Sequence, residues 1–403
     1  MKISLYIFVV LFFLTACISN PNNAQSVETK IDTIITPEIK KSLVVAAEDT
    51  ASYLKKLKGK KVALVANQTS VAFNTHLLDF LLENKVMVDK VFAPEHGFRG
   101  DGEPGETILN GVDKKTGVKI ISLFGNNKKP STVQMKGLDV VVYDIQDVGC
   151  RFFTYISTLH YVMESCAENN VELIVLDRPN PNIDYVDGPI RQENCISFVS
   201  LDPLPIVYGM TVGELSQMIN EEGWLAGQKK CQLTVIPVKN YTRDTKYNLP
   251  IKPSPNLPNY LSVRLYPSLC LFEGTNISIG RGTLTPFTSI GYPDNKYGEY
   301  VFTPQDIKGM QTNPMHKLKK CYGIDFRDLN PDSLNFTLKY FIKMYNLSSG
   351  KMITRSRMLA LLYGNDQLPL QLSKGMTENE IRKTWEPELS DFKTKRKKYL
   401  IYK

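Results

Sequence analysis

The feature that most constrains this chain is a recurrence of short apolar runs separated by helix-length amphipathic segments. Lys61–Ala66, Val88–Ala93, Val118–Phe124, Leu138–Ile145, Val171–Leu176 and Leu233–Pro237 are mostly apolar without the alternation of a half-exposed strand. Between them, Leu77, Leu78, Phe80, Leu81 and Leu82 cluster on one side of a helix. In Thr154–Asn169, Tyr155, Leu159, Val162, Met163 and Cys166 fall at helical spacing, and a helix over Thr211–Leu225 opens on the capping-box pair Thr211 and Glu214. Strands apolar on both faces and joined by helices form a mostly parallel sheet with helices on both sides, an α/β architecture.

Past about residue 255 the pattern changes. Pro253, Pro255 and Pro258 break it, Leu261–Leu271 is apolar at helical spacing, and from Thr288 onward the strands are short, with a helix near Met352–Tyr363. This predicts a larger α/β domain over 46–260 and a smaller α+β domain over 261–403. No internal repeat is visible.

The N-terminus carries an address. Met1-Lys2 is followed by an apolar stretch, Ile3–Leu14, too short to span a bilayer comfortably. It ends in Leu14-Thr15-Ala16-Cys17, which resembles a bacterial lipobox, in which the cysteine receives lipid and becomes the first mature residue. Residues 1–16 then read as a lipoprotein signal peptide and 17–45 as a flexible tether. The expected location is extracytoplasmic, in the cell envelope, with lipid on Cys17 as the contact with a bacterial membrane. The formal charge of +8 is concentrated at the ends, in Lys2 and in six basic residues between Lys393 and Lys403. The body is nearly neutral, which argues against a nucleic-acid partner, and the basic tail reads as a solvated C-terminus. The six cysteines after Cys17 form no C-x-x-C pair, and we expect mostly buried thiols.

In open parallel sheets, ligands bind beyond the carboxyl ends of the strands. Four such ends are polar here: Asn67-Gln68-Thr69, Glu95-His96-Gly97, Asp144-Ile145-Gln146-Asp147 and Asp177-Arg178-Pro179-Asn180. One such end would be read as a turn or helix cap; four together predict a site. Gly100-Asp101-Gly102-Glu103-Pro104-Gly105 matches G-x-G-x-x-G, but it starts well after the strand, opens no apolar helix, and its acids would repel a pyrophosphate. No nucleophile elbow, zinc-protease motif or phosphate loop is present, and four histidines (His76, His96, His160 and His316) do not make a multi-histidine centre. No metal and no cofactor are expected.

What remains is carboxylate chemistry. Glycosidic cleavage needs an acid for the leaving oxygen and a second group at the anomeric carbon. Glu95 follows Pro94 at the end of an apolar strand, where partial desolvation favours the acid form, with His96, Arg99 or a backbone amide to orient it. Asp144 and Asp147 are candidates for the second carboxylate, although Asp147 could equally cap the following helix.

Four strings carry a resemblance: Ala93-Pro94-Glu95-His96-Gly97-Phe98-Arg99-Gly100, Tyr143–Tyr155, Leu176-Asp177-Arg178-Pro179-Asn180-Pro181 and Leu271–Thr283. In this order they resemble the NamZ-type exo-β-N-acetylmuramidases, from about residue 50 to the C-terminus. The resemblance implies a Rossmann-like domain, a smaller C-terminal domain and an active cleft between them. It implies removal of terminal N-acetylmuramic acid from the non-reducing end of peptidoglycan-derived disaccharides or glycan chains. It also implies that the glutamate of Glu-His-Gly, hence Glu95, is catalytic; the second group stays open. A lactyl carboxylate on the substrate calls for a cation, and Arg99, Arg151, Arg178 and Arg281 all lie in these strings. Arg178 could instead brace its loop, whereas glycines flanking Arg281 would allow close ligand approach. Asn67, Gln146, Asp177, Asn180, Glu273 and Asn276 complete the expected substrate contacts. In a substrate-assisted route the acetamido group attacks, and Asp144 could support it as well as attack directly. Two rivals use the same cleft: a non-catalytic sugar- or muropeptide-binding lipoprotein, and an ester or amide hydrolase of muramyl groups, for which no triad setting is visible.

If Cys17 is the anchor, Cys17→Ala should leave a soluble protein that keeps its activity. Detergent phase partitioning checks this, and lipid retained on the variant would overturn the assignment.

Overall fold

The chain's strands run, in order, as β1 (Lys61–Ala66), the short hairpin β2–β3 (Val71–Ala72 and Thr75–His76), β4 (Met87–Ala93), β5 (Gly111–Val112), β6 (Lys119–Ser122), β7 (Val140–Asp144), β8 (Glu172–Leu176) and β9 (Leu233–Ile236). All but the hairpin join one seven-stranded sheet in the order β5-β6-β4-β1-β7-β8-β9. Every pairing is parallel except that of the edge strand β5 with β6. Its six parallel strands follow the doubly wound Rossmann order, and the direction of winding reverses between β1 and β7. The computed structural model describes residues 42–95, 97–99 and 110–403, and residues 42–403 form one compact unit. The signal peptide, Cys17, most of the tether, His96 and the Gly100–Gly105 stretch lie outside the described residues.

The continuous apolar strands have the expected cause. Alternate residues of one strand feed two cores. Ala63, Val65, Val141, Tyr143, Leu173 and Val175 point to one; Val62, Leu64, Val140, Val142, Ile174 and Leu176 point to the other. Helices α1 (Thr50–Leu57) and α2 (Leu77–Glu83) cover the second core, and α3 (Thr132–Met135), α4 (Tyr155–Asn169) and α5 (Val212–Glu221) cover the first. The capping box of Thr211 and Glu214 is formed at the start of α5.

The first core does not stop at the sheet. Tyr266 and Leu269 of α6 (Tyr260–Leu269), with Phe287, Phe336 and Trp385, belong to the same buried cluster as Val141 and Leu159. The C-terminal part holds an antiparallel sheet of β10 (Ser289–Tyr292), β11 (Tyr300–Phe302) and β12 (Cys321–Asp325), with β12 in the middle, and several short helices. The basic tail departs from expectation. Lys397 and Lys398 are exposed, but Lys395 pairs with Glu222 at 3.2 Å and Arg396 donates to the Gly209 carbonyl at 2.5 Å. Beyond them Tyr402 is buried, and its hydroxyl donates to Asp177 Oδ2 at 2.6 Å. A tyrosine can fill an apolar gap while its hydroxyl satisfies a buried acid, and charge counting does not see that. All six described cysteines are buried free thiols, as expected.

His160, in mid-α4, is structural. Its Nδ1 lies 2.8 Å from Asp202 Oδ1 and its Nε2 3.4 Å from Glu164 Oε1. Burial works to lower its pKa, but the two carboxylates outweigh burial and raise it to about 9. A histidine raised in this way adds stability below about pH 6.5 and loses that contribution as pH rises through about 9. Chemical unfolding should therefore become easier between these pH values, and His160→Gln should flatten that part of the profile.

Candidate active site

Glu95 stands two residues beyond β4, half-buried, where Pro94 ends the strand pairing. Its Oε2 accepts a hydrogen bond from Thr154 Oγ1 at 3.1 Å, just ahead of α4. Glu95 lines two adjoining cavities of about 160 and 360 Å³, and Glu273 and Arg281 line both with it. Glu273 comes from the turn Cys270–Gly274 after α6. Arg281 Nη2 donates to Glu273 Oε1 at 2.6 Å, and its guanidinium lies 5.1 Å from the Phe287 ring centroid. The smaller cavity has an aromatic wall in which Phe153, Tyr266 and Phe287 meet edge to face at 5.9 and 5.1 Å. The larger one is edged by Ser278, Asn313 and Arg355. The cleft thus draws one carboxylate from the parallel sheet and a second from the C-terminal half.

The strand-end rim that the sequence suggested divides. Asp144 is fully buried, and Arg178 clasps it at 2.5 and 2.8 Å while also donating to the Val71 carbonyl at 3.0 Å. Asp147 is buried too. It accepts from the Gly149 amide at 2.6 Å and from the Tyr208 hydroxyl, and burial raises its carboxyl to about 6 against these bonds. Neither aspartate lines the cleft. The reason is the same for both: a carboxylate at the end of an internal strand is the nearest acceptor for the loops packed around it.

Several expected substrate contacts are structural for similar reasons. Arg151 is fully buried and donates to the carbonyls of Pro189, Leu204 and Leu362 at 2.5–2.9 Å; burial lowers its pKa to about 9. Arg99 holds Asp113 through two bonds of 2.9 Å, with Asp79 at 3.3 Å, and its hydrogen bonds help hold the Asp113 carboxyl down at about 2. Asp177 caps α5: it accepts from the Gly213 amide, the Thr211 hydroxyl and Tyr402, while burial pushes its carboxyl up to about 7. Asn180 is buried between the Met210 carbonyl and the Asn182 amide, and Asn67 closes a turn onto Thr69. Gln146 donates to the carbonyls of Asp147 and Pro179. With Arg178 it lines a separate cavity of about 380 Å³ at the sheet's switch point. Asn276 lies beside the cleft segment, its carbonyl 2.6 Å from His316 Nε2, but it lines neither cleft cavity.

Of the proposed contacts, Glu95, Glu273 and Arg281 come together. The glycines beside Arg281 answer to their own chain. Gly280 and Gly282 have φ of 74° and 77°, and a Cβ on either would meet a backbone oxygen at 2.7 Å. Tyr266, Phe287 and Arg355 were missed. Their side chains read as core or surface in isolation, and no spacing rule marks the wall of a cleft.

The pattern described as exo-β-N-acetylmuramidase NamZ, N-terminal, matches residues 62–261, and its C-terminal counterpart matches residues 264–402. The chain belongs to the exo-β-N-acetylmuramidase NamZ family. A relative in that family, the peptidoglycan β-N-acetylmuramidase NamZ of Bacillus subtilis (strain 168), is 35% identical over 94% of this chain and 95% of its own. Two crystal structures of DUF1343 family proteins from Bacteroides fragilis NCTC 9343 share the fold. One has TM-score 0.83 at 44% identity, covering 90% of this chain and 99% of that one. The other has TM-score 0.78 at 29% identity, covering 91% of this chain and all of that one. In this NamZ family member the Asp144–Arg178 pair and the cavity of about 380 Å³ share the Rossmann switch point, and the cleft with two carboxylates is separate from it.

Asp144→Asn separates a structural from a catalytic aspartate. It should lower the unfolding free energy by about 3 kcal/mol, because a buried guanidinium loses its counter-charge. Folded variant should keep turnover; denaturant titration and a rate assay on the same sample check both.

Proposed function

We propose that this protein is an exo-acting glycosidase that releases terminal N-acetylmuramic acid from the non-reducing end of peptidoglycan fragments, with Glu95 as general acid. The observation that carries the reading is the pair of carboxylates, Glu95 and Glu273, on one cleft, in a chain whose Bacillus relative is named a peptidoglycan β-N-acetylmuramidase. Thr154 holds one oxygen of Glu95 and fixes the direction in which the acid faces. Proton transfer from Glu95 to the glycosidic oxygen lets the leaving sugar depart as an alcohol. Positive charge then grows at the anomeric carbon, and water adds there in place of the lost glycosidic oxygen, giving up a proton to a cleft carboxylate or to solvent. Glu273, held by Arg281, is the second carboxylate of the cleft and takes the role that Asp144 and Asp147 do not fill. The aromatic wall packs against the apolar faces of a sugar ring.

The lipobox-like ending at Cys17 supports an exported lipoprotein, anchored in the cell envelope with its cleft held near the glycan. The aromatic wall also suits a sugar-binding protein without catalysis. Release of free N-acetylmuramic acid from its disaccharide with N-acetylglucosamine separates the two readings.

Glu95→Gln should cut turnover of that disaccharide by ~10²–10⁴-fold, worth roughly 3–5 kcal/mol of barrier, with little change in folding. An aryl glycoside, whose leaving group needs no proton, should lose far less. Equal losses on both substrates would pass the acid role to another group.

A further inference from the structure

Resting on the glycosidase reading above, we propose that Arg355 binds the lactyl carboxylate of the substrate and so sets the preference for N-acetylmuramic acid over uncharged N-acetylhexosamines.

The argument is one of charge. A muramyl unit differs from a plain N-acetylhexosamine by an ether-linked lactyl group that ends in a carboxylate. The cleft holds Glu95, which carries its proton when it acts as general acid, and Glu273, whose carboxylate would repel another. Arg281 offsets Glu273, to which it is hydrogen-bonded at 2.6 Å. The other arginines suggested by the sequence are committed elsewhere. Arg99 holds Asp113 and Asp79, Arg151 is spent on three carbonyls, and Arg178 is spent on Asp144 and the Val71 carbonyl. Arg355 lines the larger cavity together with Glu95, Glu273 and Arg281. It is exposed, and among the described residues its guanidinium has no ion pair or hydrogen bond. It is the second cation of the cleft lining, and it is uncompensated.

Its place is set by the backbone. The Arg355 amide donates to the Gly274 carbonyl at 3.0 Å, which ties it to the residue after Glu273. The helix Ser356–Tyr363 begins at the next residue, and its positive end adds to the potential that favours an anion there. A guanidinium matches a carboxylate in two parallel hydrogen bonds, a geometry that a lysine cannot reproduce. Arg355 lies outside all four strings that carry the family resemblance, which is why sequence reading passed over it.

The test uses the purified full chain and two substrates: the muramyl disaccharide with a free lactyl carboxylate, and the same disaccharide with that group converted to a primary amide. Wild type should prefer the acid. Arg355→Met, which keeps the aliphatic reach, should lose about 10- to 100-fold in kcat/KM on the acid, mostly through KM. It should lose much less on the amide, so the preference collapses. Arg355→Lys should restore part of it. Equal losses on both substrates, or an unchanged preference, would overturn the assignment while leaving the glycosidase reading intact. Failure of wild type to cleave either substrate would sink that reading and this proposal together.

Discussion

The clasp between Asp144 and Arg178 decides where everything else can be. It sits at the carboxyl end of β7, beside β1, where a doubly wound sheet reverses and usually opens a ligand crevice. Buried and tied also to the β2 backbone through Val71, it neutralises the two charges at that point, where a cavity of about 380 Å³ remains. A buried ion pair of this kind contributes little net stability, because desolvation offsets the attraction. Its effect is geometric. It ties the end of β7 and the β2 backbone to the loop after β8, and the strand end that carries a cleft carboxylate is instead that of β4, through Glu95.

That displacement makes the C-terminal half necessary. Glu95 alone is one carboxylate with one hydroxyl partner; the second carboxylate and both cleft cations come from residues 273–355. The two halves must then keep a fixed spacing. A shared apolar core supplies most of the rigidity, and two polar ties add direction. Arg151 reaches from the loop before α4 to the Leu362 carbonyl, and Tyr402 brings the end of the chain onto Asp177 at the start of α5. Both ties use a long side chain with a polar tip to cross apolar ground.

Much of the fold was legible because its determinants are local. A strand apolar on both faces must be covered on both faces, and β1, β7 and β8 lie within two residues of the runs read from the sequence. The capping box of α5 is a short-range signal and is formed. The small antiparallel sheet and the buried C-terminus were harder. Their pairings join residues far apart in the chain, and their side chains carry no periodicity that distinguishes them from loops.

For the candidate site the division is sharper. Sequence alone determined that a mostly parallel sheet with helices on both faces carries polar strand ends, and it placed Glu95 at one of them. It could not tell that Asp144 and Asp147 are buried while Glu273, read as a substrate contact, faces the cleft, or sort the four arginines it named, because an acid or a cation in a loop has the same local signature whether it faces ligand or a buried partner. Only the tertiary structure decides that, since the partner comes from elsewhere in the chain: Arg178 for Asp144, Tyr208 for Asp147, three carbonyls for Arg151. Where the fold provides a buried partner, the charge is consumed by structure. Glu95 and Arg355 remain beside the cleft because packing left their polar ends without an ionic partner among the described residues, and a group in that condition is free to meet a substrate.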